Sequence, residues 1–166
     1  MQTVEPAGRP EAAEPTEYEK ERGKPMPNLS HSVLELRLAV AFSAAHTDHY
    51  LVAPELTLEF ADGLTLTPDL AVLPKRLIKW GREPARCREV PLLVVEIVSP
   101  SQGYQTVVEK VDAYFARGVQ SVWEVNPALE IIAVHQPGSE APQIFQQGEV
   151  KDPVTKLSVR LEELFA

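Results

Sequence analysis

The apolar run Leu92-Leu93-Val94-Val95 ends on Glu96, and Ser99-Pro100-Ser101 follows almost at once. A run with no polar alternation fits a strand buried on both faces, the kind found in the middle of a layered α/β sheet. Tyr104 to Arg117 resumes helical spacing through Val107, Val111, Tyr114 and Phe115, and Gly118 closes that helix. Ser121 to Val125 is the next strand candidate, so the spacing predicts a strand–helix–strand crossover whose first strand ends on Glu96. A carboxylate at a buried strand end is costly unless it finds a cation, a hydrogen-bond network or a proton. Glu96 therefore asks for a partner.

The rest of the chain supplies the layers around that strand. Residues 1–28 are rich in Glu and Pro without apolar periodicity, and read as a flexible or loosely docked lead-in to which no chemistry is assigned. Residues 29–166 read as a single domain, because 166 residues leave little room for a second core. Ser30 is placed to cap a helix running to about Ala45 through Val33, Leu34, Leu36, Leu38, Val40, Ala41 and Phe42. Tyr50 to Phe60 is strand-like, and Ala61-Asp62-Gly63 has the turn chemistry for a hairpin into Leu64-Thr65-Leu66-Thr67. Pro68-Asp69 leads into a further strand, Leu70-Ala71-Val72-Leu73. After the crossover, Glu130 to His135 and Gln143 to Gln146 are strand candidates, and Leu161 to Phe165 a terminal helix. The fold class expected is α/β, or α+β, with a mixed central sheet.

If the strands carrying Asp69 and Glu96 are neighbours, their carboxylates converge and can hold a hard cation such as Mg²⁺ or Mn²⁺ through oxygen. Lys110 follows on the crossover helix, where its long stem can reach back to the acids. Such a set suits phosphodiester hydrolysis, in which a metal generates the nucleophile and an ammonium orients water or stabilises the transition state. Plainer roles exist for each residue: Asp69 as an acid satisfying amides where a strand opens, Glu96 as an acid at an exposed strand end, Lys110 as a solvated lysine beside Glu109.

Several function classes are limited by composition. A net charge of −8 argues against broad coating of nucleic acid. Charge is uneven, however: Lys75, Arg76, Lys79, Arg82, Arg86 and Arg88 cluster against Glu83, a basic arm able to guide a phosphate backbone, with Trp80 able to stack on a base. A solvated loop is the competing explanation. Cys87 is the only cysteine, which excludes an internal disulfide or multi-cysteine metal site and fits a reducing cytoplasm. No leader-like or membrane-spanning run is expected, nor an organic cofactor. His46, Asp48 and His49 match no compelling zinc spacing and read as loop residues. Tyr114 and Trp123 read as core or interface aromatics.

The chain resembles the PD-(D/E)XK nuclease superfamily, and more closely its Uma family of bacterial endonucleases, over most of residues 18–126. The resemblance rests on Gly23-Lys24-Pro25-Met26-Pro27 before the helix carrying His31, Pro68-Asp69-Leu70-Ala71-Val72, Val95-Glu96-Ile97-Val98-Ser99-Pro100-Ser101, and Lys110 with Tyr114, Gly118, Val119 and Trp123. It implies a restriction-endonuclease-like core: an N-terminal helix, the mixed sheet, and the crossover helix after the Glu96 strand. It also implies Asp69 and Glu96 as metal ligands, the backbone carbonyl of Ile97 as a third, and Lys110 as the catalytic lysine. In that superfamily an acid from the first helix sometimes completes the metal shell, which here would be Glu35, although a solvent-facing role is the simpler one. His31 is a weak candidate for a substrate contact. The chain departs from the pattern at Val98, where a strict Glu-X-Lys motif has lysine, and at Thr106 and Asn126, where Uma-type chains commonly carry acids.

The expectations are thus a Mg²⁺-dependent DNA endonuclease, working as a homodimer because duplex cleavage is often solved by two-fold pairing. A catalytically silent nuclease-fold module that binds nucleic acid or protein remains an alternative, as does another metal-dependent hydrolysis at the same carboxylates.

Overall fold

A computed structural model describes residues 14–45 and 48–166; His46, considered above as a loop residue, lies outside them, as does the beginning of the lead-in. The elements run α1 (Glu17–Arg22), α2 (Leu29–Ala45), β1 (Tyr50–Pro54), β2 (Leu58–Glu59), β3 (Thr65–Leu66), β4 (Leu70–Pro74), β5 (Leu93–Ile97), α3 (Tyr104–Phe115), β6 (Ser121–Asn126), β7 (Ile131–His135), β8 (Gln143–Phe145), β9 (Glu149–Lys151), β10 (Ser158–Arg160) and α4 (Leu161–Leu164). The main sheet has the order β1-β4-β5-β6-β7-β8. Only β5 and β6, joined through α3, pair in parallel; the other neighbours are antiparallel, so the sheet is mixed.

The apolar run is β5, every residue of which is buried at the centre of the sheet. Its alternation splits the core in two. Leu93, Val95 and Ile97 join Leu34, Leu38 and Phe42 of α2, while Val94 joins Val107, Val111 and Tyr114 of α3. Trp123 of β6 meets Phe42 edge to face at 5.2 Å on the α2 side. Its indole N–H donates to Asp152 Oδ1 at 3.0 Å, which fixes the segment between β9 and β10 against the sheet. Both aromatics read as core, Tyr114 and Trp123, are fully buried.

Several local details differ from the sequence expectations. Asn28, not Ser30, caps α2: its side-chain oxygen accepts the His31 N–H at 3.0 Å, so the helix starts two residues earlier on the same chemistry. The Tyr50 to Phe60 segment is two strands, broken at Glu55, whose φ of 53° lies in the left-handed region. As a result β1 pairs with β4, whereas β2 makes the short expected hairpin with β3. The described part of the lead-in holds α1, closed at its start by a reciprocal pair in which Glu19 N–H donates to Thr16 Oγ1 and Thr16 N–H to Glu19 Oε2. Strands β9 and β10 were not anticipated; at three residues each they show too little alternation to register.

Candidate metal and nuclease site

Register brings the two acids together. Leu70 of β4 pairs with Val95 of β5, so Asp69, the residue just before β4, stands opposite Glu96. By the pleat Glu96 follows Val94 to the α3 face. There Tyr114 O–H donates to Glu96 Oε1 at 2.6 Å, and Lys110 Nζ to Oε2 at 3.1 Å. Burial, then the charge of Glu96, pushes the Tyr114 hydroxyl well above the usual tyrosine range, so it remains a donor. Lys110 thus reaches back from the crossover helix as its position predicted, and contacts one of the two acids.

Asp69, just before the regular part of β4, is held by a different set of partners. Its Oδ2 accepts the Ile97 N–H at 2.6 Å, which ties the start of β4 to the end of β5. Its Oδ1 accepts from Lys24 Nζ at 2.5 Å and lies 2.9 Å from His31 Nε2, which carries its proton because an ionised carboxylate only accepts. The Asp69 side chain is 1% exposed and that of Lys24 5%. Burial alone would raise the Asp69 pKa; the His31 hydrogen bond and the Lys24 charge outweigh it and hold the carboxyl below its ordinary value.

Two further acids join this half. Glu35, one turn after His31 on α2, is turned inward, with Oε2 3.7 Å from His31 Nε2. Burial, then the charges of Glu55 and Asp69, raises its pKa. Glu55, partly buried at the left-handed break after β1, receives Lys24 at 3.3 Å and Arg22 through a short ion pair. One ligand atom from each of His31, Glu35, Glu55 and Asp69 lies within 4.8 Å of every other. Oxygen ligands on opposite sides of one Mg²⁺ are about 4.2 Å apart, so shifts of a few tenths of an ångström would let this set enclose an ion. The donors are mostly carboxylate oxygens, which suits Mg²⁺ or Mn²⁺, the latter tolerating the imidazole.

Glu96 is outside that converging group, and its two oxygens accept from Tyr114 and Lys110. It does line, with Lys24, His31 and Ile97, a small cavity of about 20 Å³ between α2 and the loop after β5, room for one water-sized particle. Ile97, expected to offer its carbonyl, meets Asp69 through its N–H. Asn126 uses its side-chain oxygen to accept from Ala128 and Leu129 N–H and close a turn, and Thr106 is an exposed residue on α3.

The basic arm leaves β4 at Pro74, the end of that strand away from Asp69. Arg76 is spent internally: it grips both Glu83 oxygens at 2.9 Å, which with the Lys79 N–H holds the Glu83 pKa down to about 2, and it binds Glu89 at 2.5 Å. Arg86 and Arg88 face Glu59. Lys75, Lys79 and Arg82 are exposed, beside Trp80 at 86% exposure.

The residues missed from sequence are Lys24, Tyr114 and Glu55. Lys24 stood in a polar segment without periodicity, and the hydroxyl of Tyr114 was hidden behind a ring correctly read as core. The signal available for Lys24 was its place between Gly23 and Pro25, where a left-handed glycine with φ 67° ends α1 and turns the chain inward.

Comparison with known families gives a profile match over residues 18–162 to Uma2, described as "Putative restriction endonuclease". The chain belongs to the Uma2 family. Among solved structures, a crystal structure of "a putative nuclease belonging to DUF820" from Anabaena variabilis superposes with a TM-score of 0.72 at 21% identity, covering 85% of this chain and 83% of that one. The fold is therefore that of a nuclease-type relative, with the mixed sheet and flanking helices expected. A DrdV–DNA complex matches 63% of this chain and 9% of its own at 12% identity and a TM-score of 0.37, too low to establish a common fold. No curated protein matches. No helix among the described residues is long and apolar enough to cross a membrane.

Proposed function

We propose that this Uma2 protein is a divalent-metal-dependent DNA endonuclease, Mg²⁺ or Mn²⁺ being its ion, and that Asp69 and Glu96 form the centre of its site. The observation that carries the proposal is the register that sets two buried carboxylates opposite each other, with lysine ammonium groups on both flanks. A protein gains little stability from buried ion pairs, because desolvation offsets most of the attraction, so their presence at a cavity speaks for chemistry.

In this reading Asp69 would hold the ion with Glu35, Glu55 or, once its Nε2 gives up its proton, His31, and Glu96 and the Ile97 carbonyl would complete the shell as the side chains adjust. Bound there, the ion would lower the pKa of a coordinated water and screen phosphate charge. Hydrolysis joins the water oxygen to phosphorus as a P–O bond of the backbone breaks. Lys110, freed from Glu96 Oε2, orients that water or offsets the charge that develops on phosphate. Tyr114 fixes the rotamer of Glu96 throughout. Lys75, Lys79 and Arg82 would contact the backbone farther along the duplex. Cys87, a buried free thiol, suits a cytoplasmic setting.

The test is nicking of supercoiled plasmid with Mg²⁺ or Mn²⁺ and none in excess chelator. Asp69→Ala and Glu96→Ala are each expected to abolish it; equal cutting by wild type and both variants would mean a contaminant and end the assignment. A second reading, a catalytically silent module that binds nucleic acid or protein, is favoured by the engagement of Asp69 and Glu96 by the chain's own donors. DNA retention without cleavage in either metal would select it.

Homodimerisation belongs to the same proposal, since a single-site subunit cuts both strands most simply as a two-fold pair. Leu29, Val33, Leu36 and Val40 form an exposed apolar stripe along α2 at helical spacing, a self-complementary surface for a second copy. Sedimentation at micromolar concentration is expected to give a dimer; a monomer there would rule the pairing out.

A further inference from the structure

Lys24 holds one of the oxygens that the metal-dependent reading gives to the ion. Its Nζ is 2.5 Å from Asp69 Oδ1 and 3.3 Å from Glu55 Oε1, and both carboxylates contribute to the group of donors within 4.8 Å of one another. A positive charge at those distances from two of the donors stands against the Asp69–Glu55 edge of the group, bonded to an oxygen that the ion would need. The ammonium is tethered there, because Gly23 turns the chain inward and the lysine side chain is 5% exposed. It also has somewhere to go: Lys24 lines the small cavity shared with His31 and Glu96, and its stem is long and flexible.

Charge points the same way. Asp69, Glu96, Glu35 and Glu55 meet Arg22, Lys24 and Lys110, one permanent cation fewer than the carboxylates. With Lys24 on Asp69 the metal-free site is nearly balanced. A divalent ion added without displacing Lys24 would place three positive charges among donors a few ångströms apart, and ammonium and ion would compete for Asp69 Oδ1.

We propose that Lys24 is a tethered counter-cation that competes with the metal ion for Asp69 Oδ1: it neutralises Asp69 and Glu55 in the metal-free protein, leaves Asp69 Oδ1 when the ion binds, and so sets the metal affinity. The inference rests on the metal-dependent reading. It makes Lys24 a positioning residue whose removal tightens binding, whereas a purely structural lysine would, on removal, loosen it.

The experiment is Mn²⁺ titration of the full chain by calorimetry without DNA, paired with melting curves in chelator and in Mn²⁺. Lys24→Gln is expected to melt lower than wild type in chelator. It should bind Mn²⁺ about tenfold or more tightly, the scale of a lost charge-assisted hydrogen bond, and gain more from Mn²⁺ in the melt. Lys24→Arg should stay near wild type. Lys24→Met, which keeps the stem without the ammonium, covers the case in which the Gln variant does not fold, and should shift affinity in the same direction. Wild type that binds Mn²⁺ while Lys24→Gln or Lys24→Met binds it equally or more weakly overturns the role of Lys24 alone. Absence of Mn²⁺ binding in every protein, wild type included, overturns the metal-dependent reading along with it.

Discussion

Asp69 and Glu96 face each other across one step of the β4–β5 ladder, yet their surroundings differ in kind. Asp69 is held by groups distant in sequence: a lysine from the segment before α2, a histidine from α2 and a backbone amide of β5. Glu96 is held by two side chains of the one helix that directly follows its strand. The Glu96 half can form within a single strand–helix unit; the Asp69 half requires most of the N-terminal part of the chain to be in place. The two acids of one proposed centre should therefore respond unequally to substitution.

The largest effect is expected at Asp69. Asp69→Ala leaves Lys24 buried without its closest acceptor and the Ile97 amide unpaired, and should cost about 3–5 kcal/mol, as breaking a buried charge pair does. Glu96→Ala removes acceptors from Tyr114 and from Lys110, which is 17% exposed and can turn to water, so about 1–3 kcal/mol is expected. Urea unfolding of both variants checks the order, and equal losses would erase the contrast between the halves.

That contrast also explains what could be read from sequence. Val94 and Val95 announce a strand whatever the rest of the chain does, and Val107, Val111 and Tyr114 announce the helix that covers it, so Glu96 and Lys110 were legible as a local unit. Asp69 was legible as an acid before a strand, and Glu35 as an acid on the right helix. Lys24 was not, because its burial depends on a turn at Gly23 and on acids from two other elements, none of which leaves a periodic trace. Glu55 was hidden for a related reason: the break it makes in the Tyr50 to Phe60 segment comes from tertiary pairing of β1 with β4, against a local preference for one longer strand. In the basic arm, Arg76 looked available because its pairing with Glu83, seven residues on, depends on the loop's conformation and leaves no periodic trace.

The smallest effect sharpens the comparison by its sign. Asp69 has a lowered pKa, so the stability it provides is present above the unfolded carboxylate value of about 3.9 and fades as pH falls through the folded value. Glu35 has a raised pKa, first from burial and then from Glu55 and Asp69, so its contribution is fully present below about pH 4.3 and is lost as pH rises through the folded value. Glu35→Gln is thus expected to raise the metal-free melting temperature slightly at pH 7, with the gain shrinking toward pH 4. A melting temperature lowered at pH 7 would mean that the Glu35 charge is a net stabiliser.

The pairing of Leu70 with Val95 has a consequence for the order of events during folding. Side chains in a strand alternate between faces, so a slip of one residue between β4 and β5 would turn Glu96 away from α3 or set Asp69 beside the wrong amide. Residues 24, 31, 69 and 97 meet only after long loops have closed and that alignment is final, whereas the Glu96–Tyr114 contact spans 18 positions. A nascent or partly refolded chain would carry a ready glutamate but no cation pocket, and any hydrolytic capacity would be withheld until the whole domain had matured.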